Sequence, residues 1–431
     1  MKQKLQVAIL IRKSNSRLPL WAMLAVFIFL SQACKTTNEA TYTNLAVNYN
    51  HEADLQIKGL RVFHESDSLS LVFLQYSTEG LEYQKVPGEE YFEANYSISF
   101  QLFKSYQSNA VLDEAIYNLT DTLYYENPVS LELNFALAAA FPGNYLCEIK
   151  FTDLHRNESL LIPIEIEKGK PNSAQYFLPL TMQDEIIYEH WVSWKTPFRI
   201  KCADTRLSEL QVSYFKEDFP IAAPPFSQRH SPAFDYEPQE NFTIKVENGL
   251  SEPLQYAKEG IFQFMAEANE KTGFTLMRFP DYYPQVKKAE QLAPPLRYLT
   301  SNKEFEKIIK SRDVKQAVDS FWIATAGNPD EAVALIQKYY GRVEQSNRLF
   351  ASHKQGWKTD RGMIYIIFGQ PQKVFKREDL ETWIYGEQGS RVYLTFDFIK
   401  AINPFTENDF ELQRQPQFKQ EWYNAVLFWR Q

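Results

Sequence analysis

The chain is poor in the residues from which catalytic and metal centres are usually assembled. Its six histidines stand apart at 51, 64, 155, 190, 230 and 353. No two of them form His-x-x-x-His and no His-Glu-x-x-His occurs, which excludes a helical zinc site. Three cysteines, Cys34, Cys147 and Cys202, make no Cys-x-x-Cys or Cys/His spacing, which excludes a zinc knuckle. Glycine is scarce, 15 in 431 residues, and neither Gly-x-Ser-x-Gly nor a phosphate-cradling glycine loop is present. No Lys/Arg-rich run interrupts a chain of formal charge −8, so nucleic acid is not an expected partner. The apolar run Leu18–Leu30 is short of the roughly 20 residues that span a bilayer. No cofactor and no metal are expected.

What is present is aromatic and β-prone. Tyr (25) and Phe (32) fit pleated, half-buried surfaces. Between residues 53 and 168, alternating runs recur at Leu55–Phe63, Leu69–Tyr76, Tyr96–Phe103, Val111–Leu119, Leu131–Leu137, Tyr145–Phe151 and Leu160–Ile166. Short strands with turn signals between them predict a β-sandwich. Pro142-Gly143-Asn144-Tyr145 entering a strand resembles immunoglobulin-like bacterial modules. Residues 167–173 read as a linker. A second β-sandwich is expected over 175–285, with strands at Ile186–Trp194, Phe198–Ala203, Glu209–Phe215, Phe242–Val246, Ile261–Glu267 and Phe274–Phe279. Its Pro-rich stretch Phe219–Phe226 cannot lie in a central strand. It reads as a connection that packs its aromatics, with an exposed recognition loop as the alternative. Cys147 and Cys202 fall in different blocks and read as buried thiols, an interdomain bridge being the other option.

The N-terminus is a separate matter. Lys2, Lys4, Arg12, Lys13 and Arg17 precede the apolar run, and no acid occurs before Glu39. This is the pattern of a secretory signal, residues 1–33. Ser31-Gln32-Ala33-Cys34 resembles the lipobox of bacterial lipoproteins, although Ser31 stands where that box prefers Leu. The resemblance implies lipid attachment at Cys34 after cleavage, an ordinary signal peptide being the alternative. Losing those five positive charges would take the chain from −8 to −13. Anionic headgroups would repel such a body, leaving the acyl chains as the membrane link. Residues 34–52, polar and Thr/Asn-rich, read as a tether.

Residues 295–431 change period. Ser301-Asn-Lys-Glu304 is a capping box, and Asn328-Pro329 is a helix start. Helical spacing follows each, and Phe418–Trp429 closes the chain as a helix. Between them lie "GWKTDRGMIYIIFGQP" and strand-like Met363–Phe368, Thr382–Tyr385 and Arg391–Phe398. The expected architecture is therefore two all-β sandwiches followed by an α+β domain with a small antiparallel sheet.

Gly356-Trp357-Lys358-Thr359-Asp360, followed by Arg361-Gly362, resembles the GWxTD domain, found mainly in exported proteins of Bacteroidetes and related bacteria. Phe321-Trp322, Tyr339-Tyr340, Arg342, Asn347 and Phe350 upstream fit as well. So do Gly369-x-Pro371 and Trp383-x-Tyr385 downstream. The resemblance runs from about Leu299 to Phe398 and brings a fold unit, not a reaction. Gly369-x-Pro371, Trp383-x-Tyr385 and Val392–Asp397 are also similar to the small lipoprotein subunit of the outer-membrane barrel-assembly machine, a binding module of a helix pair on a three-stranded sheet.

The residues themselves allow two readings. In the structural one, Trp357 anchors helix to sheet, Thr359 and Asp360 accept backbone N–H groups in a turn, and Gly362 takes positive φ at a strand entry. Arg361 pairs with Asp360 or another carboxylate, Gly369 and Pro371 turn the chain out of the strand, and Trp383 and Tyr385 share a face. In the catalytic reading, Asp360 and His353 form an acid–base dyad with Arg361 as a clamp. Glu89-Glu90 and Asp379 with Glu381 read as solvated faces. The expectation is a non-enzymatic, lipid-anchored envelope protein at the outer membrane, periplasm-facing and bound to other envelope proteins. The alternatives are an envelope hydrolase using Asp360 and His353, or a glycan-binding lipoprotein with a concave groove of exposed Trp or Tyr.

Overall fold

The computed structural model describes residues 40–50, 53–123, 130–228, 237–267, 272–387, 389 and 393–430. The expected signal (1–33) and Cys34 lie outside them. No helix among the described residues is long and apolar enough to cross a membrane.

The first block holds β1 (Gln56–His64), β2 (Ser70–Ser77), β3 (Gln84–Lys85), β4 (Phe92–Phe103), β5 (Val111–Leu123), β6 (Leu131–Leu137), β7 (Gly143–Asp153) and β8 (Glu158–Lys168). They form a β1-β2-β6 sheet and a second sheet ordered β3-β4-β7-β8, with β5 on β4. All pairs are antiparallel. Inward residues of both sheets, among them Val72, Leu74, Ile98, Phe100, Cys147 and Ile149, share one apolar core. The runs read from the sequence located every long strand here; β2 and β6 alternate in burial, whereas β4 and β7 are buried on both faces over part of their length.

The second block is β9 (Phe177–Thr181), β10 (Phe198–Cys202), β11 (Glu209–Phe215), β12 (Glu240–Glu247), β13 (Leu250–Ser251), β14 (Gly260–Met265) and β15 (Phe274–Arg278). One path of neighbours, β15-β14-β11-β12-β13-β10-β9, joins all seven. The expected strand Ile186–Trp194 is absent. That stretch is bridged to the sheets at single positions, Ile186 and Trp191, and forms no ladder. Ile187 and Val192 join the core of this block, so the alternation reflects burial without a ladder. β9 and β13 escaped the sequence reading. Cys147 and Cys202 are free and buried, and burial pushes the Cys202 thiol up to about 12.

Among the described residues the third region carries six α-helices: α1 (Ala289–Leu292), α2 (Asn302–Ile309), α3 (Val314–Ala326), α4 (Pro329–Phe350), α5 (Asp360–Phe368) and α6 (Phe418–Trp429). A four-stranded antiparallel sheet, β16 (Lys373–Lys376), β17 (Leu380–Tyr385), β18 (Leu394–Lys400) and β19 (Phe410–Leu412), completes it in sequence order. The small lipoprotein subunit would imply three strands; β19 is the fourth. The capping box forms as expected: the Ser301 side chain accepts from Glu304 N while Glu304 accepts from Ser301 N. Asn328 caps α4 with Pro329 in its first turn. Trp322, Tyr339 and Trp429 pack in sequence, tilted and then edge-on, at centroid separations of 5.3 Å, tying α3, α4 and α6 together.

Met363–Phe368, expected as a strand, is helical. Thr359 Oγ1 accepts from Gly362 N and starts α5. Every residue from Asp360 to Ile367 is buried, so the helix is enclosed on all sides. A short run of that kind has no period to read, and only its cap distinguishes it from a strand. Residues 44–49, read as part of a tether, are also packed. Asn44 and Leu45 bond to the backbone of β16 and its approach, and Leu45 and Ala46 join the core of the third region.

Candidate functional site

The motif corner is built on two close backbone contacts. A Cβ on Gly356 would lie 1.9 Å from Ser346 O on α4, and a Cβ on Gly362 would lie 2.0 Å from Gly356 O. The six-residue spacing of these glycines therefore stacks α4, the motif turn and α5 at backbone distance. Gly362 does not take positive φ; it sits inside α5, where only the missing side chain matters. Gly369 does have positive φ (85°), and it ends a helix rather than a strand. Pro371 follows it as the chain turns toward β16. Arg342 Nη1 donates to Ile366 O at 3.0 Å and Ile367 O at 3.3 Å, closing the C-terminal carbonyls of α5.

The motif's tryptophan and threonine are engaged by neighbouring groups. Trp357 is buried, its N–H donating to Asn347 Oδ1 and its indole to Gln355 Oε1. Tyr298 OH donates to Trp357 O. Thr359 also donates to Gly356 O. The stretch Phe219–Phe226 lies against this corner. Ala222 N donates to Lys358 O, Phe219 packs edge-on to His353, Phe226 packs on Tyr423, and Glu217 pairs with Lys358 at 2.8 Å. It is a connection that packs its aromatics.

Both charged residues of the motif are paired inside the protein, and not with each other. Asp360 Oδ2 accepts from Leu412 N at 2.8 Å and Oδ1 accepts from Arg414. Arg361 donates to Glu381 Oε2 at 3.2 Å and to Asn408, with its guanidinium 4.3 Å above the Phe410 ring centroid. Glu381, expected on a solvated face, is buried. Its Oε1 accepts from Tyr49 OH at 2.7 Å and Trp383 Nε1 at 2.6 Å. A carboxylate accepting from three donors satisfies its lone pairs without water, which is what burial of a charge requires. Asp379, Glu89 and Glu90 are exposed as expected. Trp383 and Tyr385 share the buried face of β17, and Tyr385 OH donates to Gly369 O.

The candidate dyad is not assembled. His353 Nδ1 lies 3.5 Å from Asp409, and its ring packs between Phe219 and Phe405. Burial pulls its pKa down to about 4, against the raising effect of Asp409. Asp360 belongs to the Arg414 pair instead. Among the described residues, one trio of carboxylates, Glu165, Glu167 and Glu407, comes within metal-ligand distance, but the Lys400 ammonium sits 2.7 Å from two of them.

A second constellation was missed by the sequence reading. The connection Ile186–Thr196 and the segment Arg278–Tyr283 face each other across a groove of about 550 Å³. Trp191, Trp194, Tyr282 and Tyr283 line it, with Glu189, Asp281, Arg278 and Lys195 between them. Trp194 is 40% exposed and Tyr282 54% exposed. Tyr283 links this groove to the motif corner: its OH donates to Asn347 O at 2.7 Å and accepts from Gly356 N at 3.3 Å. Read as a strand, 186–194 hid its two tryptophans in a sheet.

Comparison with known proteins bears on the third region. The GWxTD domain matches residues 260–431. The match begins at β14 and reaches the last residue, beyond the Leu299–Phe398 span of the sequence resemblance. No curated protein matches the chain. Among solved structures, a red sea bream transglutaminase is similar at 10% identity and TM-score 0.19, over 53% of this chain and 32% of that one. The BSP domain of a biofilm associated protein is similar at 9% identity and TM-score 0.16, over 54% of each. The chain thus spans about a third and about half of these two, at scores that carry no argument.

Proposed function

We propose, from the premise that residues 260–431 are a GWxTD domain, that the protein is a non-enzymatic envelope component, a scaffold or interaction partner for other envelope proteins. The observation that carries this reading is the pairing of Asp360 with Arg414 and of Arg361 with Glu381 inside the protein. An acid–base or clamping role needs a charged group that can reach a substrate. Here both charges of the motif hold backbone and sheet in place. The motif is a joint, and the domain it shapes is the interaction head.

The two β-rich blocks serve in this reading as immunoglobulin-like sandwiches that space and present that head. Strand β5 supports a binding role: among the described residues it pairs with β4 alone, over its whole length. Its other edge offers a row of backbone groups to an extended partner segment. The signal-like residues 1–33 and Cys34 support lipid anchoring to the outer membrane on its periplasmic side, with the acidic body held off the surface.

Crosslinking in native envelopes, read by mass spectrometry, tests the whole. The reading expects envelope proteins crosslinked to the third region or to β5, and a Cys34→Ala chain that leaves the membrane fraction after a high-salt wash. A Cys34→Ala chain that still pellets would refute the anchor. A folded Asp360→Asn chain that has lost a measurable hydrolytic activity would refute the non-enzymatic assignment.

A further inference from the structure

The groove between Ile186–Thr196 and Arg278–Tyr283 has three properties of a built binding site. It is held from both sides. Arg61 of β1, itself buried, donates its Nε to Ile187 O at 3.0 Å and another guanidinium N–H to Glu189 O, fixing one wall from the first block. Tyr283 fixes the other wall through Asn347 and Gly356. Val192 N to Met277 O and Met277 N to His190 O, at 2.9 and 3.0 Å, join the two walls along the floor. A site fixed this way loses little entropy on binding.

It also keeps large rings in water. Tyr282 is exposed and held at φ 73°, a region that bulky side chains rarely adopt. A strained backbone that holds an aromatic ring outward singles out Tyr282 as a candidate contact residue. Trp194 offers a second face across the groove. Lysines 195, 287 and 288 place ammonium groups 5.4–5.7 Å from these two rings. Such exposed contacts are weak and yield to a ligand that covers the ring.

The polar lining chooses the ligand. Glu189 and Asp281 are balanced by Lys195 and Arg278 within the lining, while Lys287 and Lys288 stand beside it at the Tyr282 ring. Hydroxyls of Thr181, Ser193 and Thr196 alternate with these groups. Within the lining the charges cancel, so recognition there rests on stacking and hydrogen bonds, and the two rim lysines are what an acidic ligand would use. Flat rings with interleaved donors and acceptors suit a ligand with apolar C–H faces and a rim of hydroxyls. We infer that this groove binds a neutral oligosaccharide, stacked on Trp194 and Tyr282 and hydrogen-bonded by Glu189, Asp281 and the hydroxyls around them. The inference goes beyond the scaffold reading and stands if that reading falls.

Isothermal titration of the full chain with cellohexaose, xylohexaose, maltohexaose and chitohexaose tests it, with a polygalacturonate hexamer and a proline-rich decapeptide as competing classes. Binding of at least one neutral hexamer is expected. Trp194→Ala and Tyr282→Gly should each weaken it at least about tenfold. Tyr282→Gly relieves the backbone strain, so its melting temperature should hold or rise while binding is lost. Absence of binding by all four neutral oligomers, binding untouched by both substitutions, or binding of only the acidic hexamer or the peptide would overturn the inference.

Discussion

The corner around Gly356–Gly362 and the groove around Trp194 and Tyr282 are made of the same kinds of residue and are joined by one tyrosine. Yet they use those residues in opposite ways. In the corner, each ring and charge faces another protein group, and the carboxylates of Asp360 and Glu381 are each met by an arginine and at least one further donor. In the groove, two rings are left partly in solvent, one of them, Tyr282, on a strained backbone. Density of striking residue types in a sequence therefore marks a demanding joint as readily as a site. What separates the two is whether the side chains satisfy each other.

Substitutions in the groove should cost ligand binding and leave stability; substitutions in the corner should cost stability first. The largest effect is expected from Gly362→Ala or Gly356→Ala. Both place a Cβ about 2 Å from a backbone oxygen that cannot swing aside. A loss above roughly 4 kcal/mol, and no cooperative unfolding transition by circular dichroism, is expected. Gly341→Ala in α4, with no atom within 4 Å of its Cβ, should instead stabilise by about 0.5–1 kcal/mol. A tolerated Gly362→Ala would break the account of the motif's spacing.

Glu381→Gln comes next. It leaves the buried Arg361 without its counter-charge, for a loss of roughly 3–5 kcal/mol. Calorimetry should show the transition lowered by on the order of 5–10 °C.

Acid sharpens the contrast further. Burial holds His353 and His64 at pKa values of about 4, below the ordinary 6.5. For His64 the Glu167 carbonyl opposes this and Lys168 adds to it. Both are neutral when folded, and the unfolded chain takes up their protons first. Their contribution is therefore complete above pH 6.5 and is lost as pH falls toward 4, by about 3 kcal/mol each. Glu167, raised to about 8 chiefly by burial and by Glu407, acts the other way. It keeps its proton when folded and costs stability as pH rises toward 8. Denaturant midpoints across pH 4–8 should show the acid loss, while ligand binding in the groove stays flat between pH 6 and 8.

The smallest stability effect should come from Trp194→Ala, within about 0.5 kcal/mol by urea unfolding, because the indole is half in water. A large loss there would make the groove a structural element like the corner.

Much of the fold was legible because one-sided burial writes itself into alternation. β6 and β11 were read to the residue, as was α6, whose apolar stripe repeats with the helical period. α5 was not, since burial on every side erases the period and left Thr359 as the sole signal. In the site, Trp357, Thr359, Trp383 and Tyr385 had readable structural roles. The partners of the two charges did not. Arg414 lies 54 positions beyond Asp360, and Tyr49 lies 332 before Glu381. Nothing local marks Glu381 as buried except its place two residues before Trp383 on one face of β17. The groove was hidden for a related reason: its walls come from two segments that meet only across the fold, one of them mistaken for a strand.

A double-mutant cycle on Asp360→Ala and Arg414→Ala, read as urea-unfolding midpoints of the full chain, tests most directly that the motif's charges hold the fold. Each single substitution should cost roughly 3 kcal/mol or more, and the double substitution little beyond either one. An Asp360→Ala chain that unfolds at the wild-type midpoint would contradict the account.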